Sequence, residues 1–236
     1  MVSIGYAENG QWTHKCIGTI LSKNTIITSA ECVEKKGNLK LRTGDEDLNK
    51  SDDDQLAKTY EMGKVLVHPN RNVNGIEHDL ALVLLDTPLD FNDYTKAICL
   101  PDQAELEDDK RNGHYSIATG WGQDLSGDIK LAETAVTIFS KRYCVAKHPN
   151  LEDFTDKAEV ICAGHDREKD FTCPGDSGAP LFVRNFYDSG ISYFHLVGIH
   201  HQLDNKNCLK VPAIFARIDD PSNLNWIKEK LLWKDF

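Results

Sequence analysis

Phe171-Thr-Cys-Pro-Gly-Asp-Ser-Gly-Ala-Pro-Leu181 is the stretch on which the fold turns. It sets a serine among glycines and an aspartate, a composition suited to a tight turn that presents a hydroxyl. Gly175-Asp-Ser-Gly-Ala179 misses the G-x-S-x-G nucleophile elbow at its last glycine, and that elbow joins a strand to a helix. No strand–helix alternation surrounds it. Instead, short β-branched runs recur at Lys15–Leu21, Thr25–Ser29, Leu39–Arg42, Lys64–Val67, Leu80–Leu85, Ser116–Trp121, Leu131–Phe139, Ala179–Val183 and Phe194–His200. Many short strands separated by turn residues predict an all-β sandwich or barrel. Helical periodicity is convincing only at the end, where Asp220-Pro-Ser222 precedes Trp226, Ile227, Lys230 and Leu231.

The 236 residues suit one large domain or two small ones. Hydrophobic residues at 40% and charged residues at 27% are ordinary globular composition. The longest clean apolar run, Leu80–Leu85, is strand-sized and far short of a membrane span. A formal charge of −10 is the wrong sign for a nucleic-acid or anionic-membrane binder. The seven cysteines, at 16, 32, 99, 144, 162, 173 and 208, contain no CxxC pair. That argues against a zinc ribbon and for disulfides in an oxidising compartment, with one cysteine left over. Met1-Val-Ser-Ile-Gly-Tyr6 has neither a basic n-region nor a long apolar h-region, so the reading is a secreted domain without its signal peptide. The acidic stretch Pro101–Asn112 is the candidate connector between two halves.

Three segments taken together are more specific. Cys16-Ile-Gly-Thr-Ile-Leu21 with Ile27-Thr-Ser-Ala-Glu-Cys32, Glu77-His-Asp-Leu-Ala-Leu82, and the Ser177 stretch resemble the chymotrypsin-like serine proteases. The corresponding family segments read CGGSLI, TAAHC, a DIAL-type motif and GDSGGP. The resemblance continues through Ile98-Cys-Leu-Pro101, Thr119-Gly-Trp-Gly122 and Ile161-Cys-Ala-Gly164. It implies two packed six-stranded antiparallel Greek-key barrels, about residues 1–105 and 106–236, with a C-terminal helix and the catalytic groups at the barrel interface. It also implies that Asp79 is the orienting aspartate and Ser177 the nucleophile, with Gly175 and Ser177 supplying the oxyanion N–H groups. The general base should precede Cys32, and that position holds Glu31.

A carboxylate, with a reference pKa near ~4.3, is a poor base for a serine hydroxyl and offers no ring N–H for Asp79 to orient. Two adjacent carboxylates are expected to trap a shared proton. In an enzyme of the same mechanism, losing the histidine costs about a million-fold in kcat. His78 directly precedes Asp79 in a presumed strand, so the two side chains should point oppositely. His14 matches a structural histidine of the family. The resemblance further places Phe171 at the base of the specificity pocket. His201, Gln202 and Leu203 stand where most active relatives have Ser-Trp-Gly, and Ala213 lines the same pocket. Asp176, which receives an N-terminal amine in active relatives, is expected to take a zymogen-like arrangement with His14 as its partner.

These departures lead to the expectation that the chain is not an enzyme. It would act instead by protein binding, as a cofactor, adaptor or regulator in an extracellular proteolytic cascade of innate immunity or clotting. The inactive arthropod clip-domain homologues are the analogy. The alternatives are a serine-type endopeptidase with residual or unusual activity, and a passive module of a larger secreted protein. The resemblance pairs Cys16–Cys32, Cys144–Cys162 and Cys173–Cys208. It leaves Cys99 unpaired or bridged to an N-terminal light chain or domain, and the partners expected are proteases, zymogens or other cascade components. No cofactor is expected. Asp45, Asp47 and Asp54 are calcium candidates in a loop where some relatives bind it, although Lys50 and Leu56 break the EF-hand pattern and a solvated acidic loop is the preferred reading. Asn49-Lys-Ser51 is a glycosylation sequon in that loop. His200-His201 reads as core and groove packing rather than a metal pair, since adjacent strand residues face opposite sides.

Overall fold

The computed structural model describes residues 1–8, 11–34, 37–49, 56–72, 76–101, 115–123, 129–148, 159–164, 177–186, 190, 192–201 and 211–232. Seven strands fall in the first half: β1 (Val2–Glu8), β2 (Gln11–Ile20), β3 (Thr25–Thr28), β4 (Lys40–Thr43), β5 (Lys58–Glu61), β6 (Lys64–Val67) and β7 (Ala81–Leu84). A short helix, α1 (Ala30–Glu34), follows β3. The second half holds β8 (Tyr115–Gln123), β9 (Ile129–Phe139), α2 (Lys141–Lys147), β10 (Val160–Gly164), β11 (Pro180–Phe186), β12 (Ser192–His201), β13 (Ala213–Arg217) and α3 (Pro221–Leu232).

Pairing in the first half runs β5-β4-β1-β2-β3-β7-β6, every pair antiparallel. The seventh segment is a bend rather than an extra strand. Met62-Gly63 separates β5, paired to β4, from β6, paired to β7, so one run from Lys58 to Val67 turns the corner and six strands go round the barrel. A Cβ on Gly63 would lie 2.0 Å from the Leu84 carbonyl oxygen, and only glycine lets the backbones approach this closely at the corner. The second half is a closed barrel in the order β10-β13-β12-β11-β8-β9. The expected pair of six-stranded barrels with a C-terminal helix is what the chain forms.

Burial explains the strand patterns. β4 alternates between half-buried and buried positions, the mark of a strand with one wet face. All four residues of β7 are buried because its two faces meet two different cores. Val83 packs with Val2, Ile4, Ile26 and Leu41 inside the first barrel. Leu82 and Leu84 face a cluster with Ile27, Leu196, Ile199, Ile218, Trp226 and Ile227. That cluster joins β3 and β7 of the first barrel to β12 of the second and to α3, so the seam between the barrels is apolar and continuous. At about 25 cal/mol per Å² of apolar surface, such a seam fixes one barrel against the other.

All nine strand-like runs coincide with strands, with boundaries shifted by a few residues. Lys58–Glu61, Val160–Gly164 and Ala213–Arg217 were missing from the sequence reading, as were α1 and α2. Ser140 starts α2, accepting the Tyr143 amide on its hydroxyl at 3.3 Å. One expectation fails locally. His78 is not in a strand: its φ of 50° puts it in a turn, from which Nδ1 meets Asn223 Oδ1 at 2.7 Å at the start of α3.

Candidate active site

The polar residues of interest gather where the apolar seam opens. Asp79, just before β7, is fully buried. Its Oδ1 accepts the Glu31 amide at 3.1 Å, which pins α1 to the end of β7. Oδ2 accepts from His201 Nδ1 at 2.6 Å. Since an ionised carboxylate only accepts, the Nδ1 of His201 carries the proton. Arg71 brings Nε to 3.0 Å from Asp79 Oδ1 and pairs through Nη1 with Glu34 on α1. Neither nitrogen makes a directed hydrogen bond within the structure, so the guanidinium acts here through its charge.

Ser177, just before β11, is nearly fully buried. Its hydroxyl donates to Glu31 Oε1. The Ser29 hydroxyl lies 2.7 Å from Ser177 Oγ. The Ser177 carbonyl accepts the Ile17 amide at 2.9 Å, tying the Ser177 backbone to β2 of the other barrel. Gly178 makes this possible. Its φ is 88°, and a Cβ there would fall 2.0 Å from the Ile17 carbonyl oxygen.

Glu31, Asp79 and Ser177 therefore come together as the sequence placed them. Glu31 reaches Asp79 through its backbone amide, and its side chain accepts from Ser177. His201 is corrected. Instead of serving as a plain pocket wall, it is the histidine hydrogen-bonded to Asp79, delivered by β12 rather than by α1. Its neighbour His200 faces the other way and packs edge-on against Phe215, as alternation requires. Ser29, Arg71 and Glu34 were not singled out in the sequence. Only the serine had a visible signal, standing where the family's TAAHC segment has its first alanine.

His14 lies against Ser3, Nδ1 to Oγ at 2.6 Å, and 5.7 Å from the Trp121 ring. Ala213 begins β13. Phe171, Gly175, Asp176, Gln202 and Leu203, and with them the expected pocket base, one oxyanion donor and the Asp176 pairing, lie outside the described residues. Cys16–Cys32 and Cys144–Cys162 are disulfides, Cys99 is a free exposed cysteine, and Cys173 and Cys208 are outside the described residues. Asp45 and Asp47 overturn the solvated-loop reading for their part of that loop. Both are buried, Asp45 with Arg42 Nε at 2.5 Å and Asp47 with Lys130 Nζ at 3.9 Å. Asn49 is exposed, and Asp54 lies outside the described residues.

Two β-barrels meeting over a buried aspartate and a serine hydrogen-bonded to a carboxylate define a serine-hydrolase architecture. The family model described as Trypsin matches residues 1–227, and the chain belongs to that family. A chymotrypsin-like elastase family member 1 from Rattus norvegicus is 26% identical over 235 residues, covering 98% of this chain and 84% of the relative. Venom serine protease Bi-VSP of Bombus ignitus is 29% identical over 188 residues, covering 77% of this chain and 52% of the relative. A venom protease of Bombus pensylvanicus is 27% identical over 233 residues, covering 92% and 88%. These relatives are named as proteases, and they overturn the expectation that the chain is not an enzyme. That expectation judged Glu31 too poor a base for a serine hydroxyl, and the fold puts its carboxylate directly on the Ser177 hydroxyl.

Proposed function

We propose that this chain is a serine-type hydrolase of the trypsin family in which Glu31 takes the role of general base. The observation that carries the reading is the hydrogen bond from Ser177 Oγ to Glu31 Oε1. As Ser177 Oγ attacks a peptide carbonyl carbon, its proton passes to Glu31 Oε1. The protonated Glu31 then returns the proton to the departing amine, leaving an acyl-serine ester. Water attacks the ester with Glu31 again taking the proton, and Ser177 is regenerated. Asp79 holds the Glu31 backbone and the His201 ring in place. A carboxylate is a weaker base toward a hydroxyl than an imidazole, so turnover is slow by family standards. The test is labelling by a fluorophosphonate probe. Wild type labels at Ser177, Ser177→Ala does not, and Glu31→Gln labels at least tenfold more slowly. Equal labelling of wild type and Ser177→Ala refutes the reading.

A role in an extracellular proteolytic cascade, as cofactor, adaptor or regulator, is proposed on a different observation. Away from Ser177, a groove of about 600 Å³ is lined by Ile20, Ile98, Cys99, Leu131 and Phe194 among others, with Leu131 and Phe194 well exposed. It offers an apolar surface to a protease, zymogen or other cascade component, and the Cys99 thiol gives a point of attachment for an N-terminal light chain or domain. Secretion is proposed with it, supported by the two disulfides. None of the described helices is long and apolar enough to cross a membrane. Non-reducing electrophoresis of the naturally produced protein should show a disulfide-linked species that Cys99→Ser abolishes. Identical migration of the two proteins refutes the attachment.

A further inference from the structure

We propose that the site beside Ser177 binds a divalent transition-metal ion of the Zn²⁺ class through Glu31, Asp79 and His201. One donor atom from each of these residues lies within 4.8 Å of the others. The trio is not a surface acidic patch: Asp79 is fully buried, and Glu31 and His201 are both largely covered. Two carboxylate oxygens and an imidazole nitrogen suit Zn²⁺, whereas Ca²⁺ and Mg²⁺ take oxygen donors.

The geometry needs only small movement. Donors around tetrahedral Zn²⁺ stand about 3.3 Å apart, given bonds of about 2.0–2.1 Å. Asp79 Oδ2 and His201 Nδ1 are 2.6 Å apart across a hydrogen bond, and a metal ion would replace the proton between them. The displaced Nδ1 proton is accounted for by the other tautomer, in which Nε2 carries it, so the imidazole binds as a neutral ligand. A Glu31 carboxylate oxygen completes the protein set, with water or Ser177 Oγ in the fourth position. Charge favours a dication. Glu31, Asp79 and Glu34 bring three negative charges, Arg71 returns one positive charge, and His201 is neutral in this form. Arg71 sits against Asp79 Oδ1 and steadies its charge, while Oδ2 faces His201.

Metal occupancy would withdraw Glu31 from Ser177 and silence the serine, giving metal-dependent control of the site. That consequence rests on the hydrolase reading, but binding itself does not. The experiment is calorimetric titration of the full chain with ZnCl₂ at pH 7.5. One saturable site of micromolar Kd is expected, weakened at least tenfold in both Glu31→Gln and His201→Asn and unchanged in the remote His148→Gln. No saturation up to millimolar ZnCl₂, or less than tenfold weakening in either variant, overturns the proposal. Should a variant fail to fold, the visible spectrum of the Co²⁺-loaded wild type decides: intense tetrahedral absorption supports the site and its absence overturns it. Fluorophosphonate labelling with and without ZnCl₂ separates the two readings. A chain that never labels but titrates as stated loses the hydrolase reading and keeps the metal site.

Discussion

Lowering the pH should destabilise this fold through His68. His68 is 2% exposed, stacked on His78 with ring centroids 4.5 Å apart, and edge-on to Trp226 of α3 at 4.7 Å. Nδ1 accepts the Asn70 amide at 3.3 Å, so the neutral ring carries its proton on Nε2. Burial, then the adjacent His78, push its pKa down from 6.5 to about 4, against weaker opposing pulls from the Ser222 backbone and Asp220. Glu159, 3.5 Å from His78 Nε2, is the other charged group in the stack. With its folded pKa depressed, His68 stays neutral in the native state at pH values where the unfolded chain already binds a proton. The stability it contributes is therefore complete above about pH 6.5 and is lost progressively as pH falls toward about 4. Linkage between those two values gives a loss of about 2 kcal/mol at pH 5 and a limit of about 3 kcal/mol.

Against a typical stability of about 5–15 kcal/mol, that is a large fraction. Urea unfolding of wild type and His68→Gln at pH 7.5 and pH 5.0 measures it. Wild type should lose about 2 kcal/mol more than the variant over that interval. Comparing the two cancels other titrating groups, among them His148, whose pKa burial also lowers. A direct NMR titration of the His68 ring in wild type is the second measurement. Titration near pH 6.5, or equal losses of stability in the two proteins, refutes the reasoning.

Two further perturbations probe the frame around the site. Ile27→Ala removes a fully buried side chain from the barrel seam and should cost about 2–5 kcal/mol in urea unfolding; a loss below about 1 kcal/mol would show that the seam does not hold the barrels together. Gly178→Ala forces a Cβ into the Ile17 carbonyl at a backbone angle costly for alanine, so it should lower Tm by several degrees and abolish labelling of Ser177. Wild-type labelling by that variant would show that the β2 contact does not position the nucleophile.

The fold was legible because its signals are local and repeated. Gly, Pro, Asn and Asp punctuate β-branched runs, and Cys16–Cys32 and the Ser177 stretch fall in the family order. β5 and β13 escaped notice because Lys58-Thr-Tyr-Glu61 and Ala213-Ile-Phe-Ala-Arg217 are too short or too uniform to show a clear period. α2 escaped because seven residues show less than two turns of periodicity, leaving only the Ser140 cap to announce it. His78 was misread because a left-handed turn residue cannot be told from a strand residue when an apolar run follows directly. The site was legible residue by residue but not as a network. Alternation along β12 correctly sends His200 and His201 to opposite faces, yet the sequence does not say that the His201 face looks at Asp79.

The contact between His201 and Asp79 explains why Glu31 is tolerated. A fully buried aspartate is costly unless its oxygens are met by donors or positive charge. A histidine before Cys32 would supply one such donor, and replacing it by glutamate alone would strip Asp79 of a partner while adding a like charge. Here the deficit is made good from three directions: the Glu31 amide and Arg71 at Oδ1, and His201 Nδ1 at Oδ2. The Glu31 carboxylate is accommodated separately, by the Ser177 hydroxyl. Glu31 and His201 therefore work as a coupled exchange in which the carboxylate moves to the serine while the imidazole stays with the aspartate. Coupling of this kind means that the two positions should not be additive. Restoring histidine at position 31 while His201 remains would place two imidazoles in competition for one buried carboxylate, so the chemistry of either residue is defined only in the presence of the other.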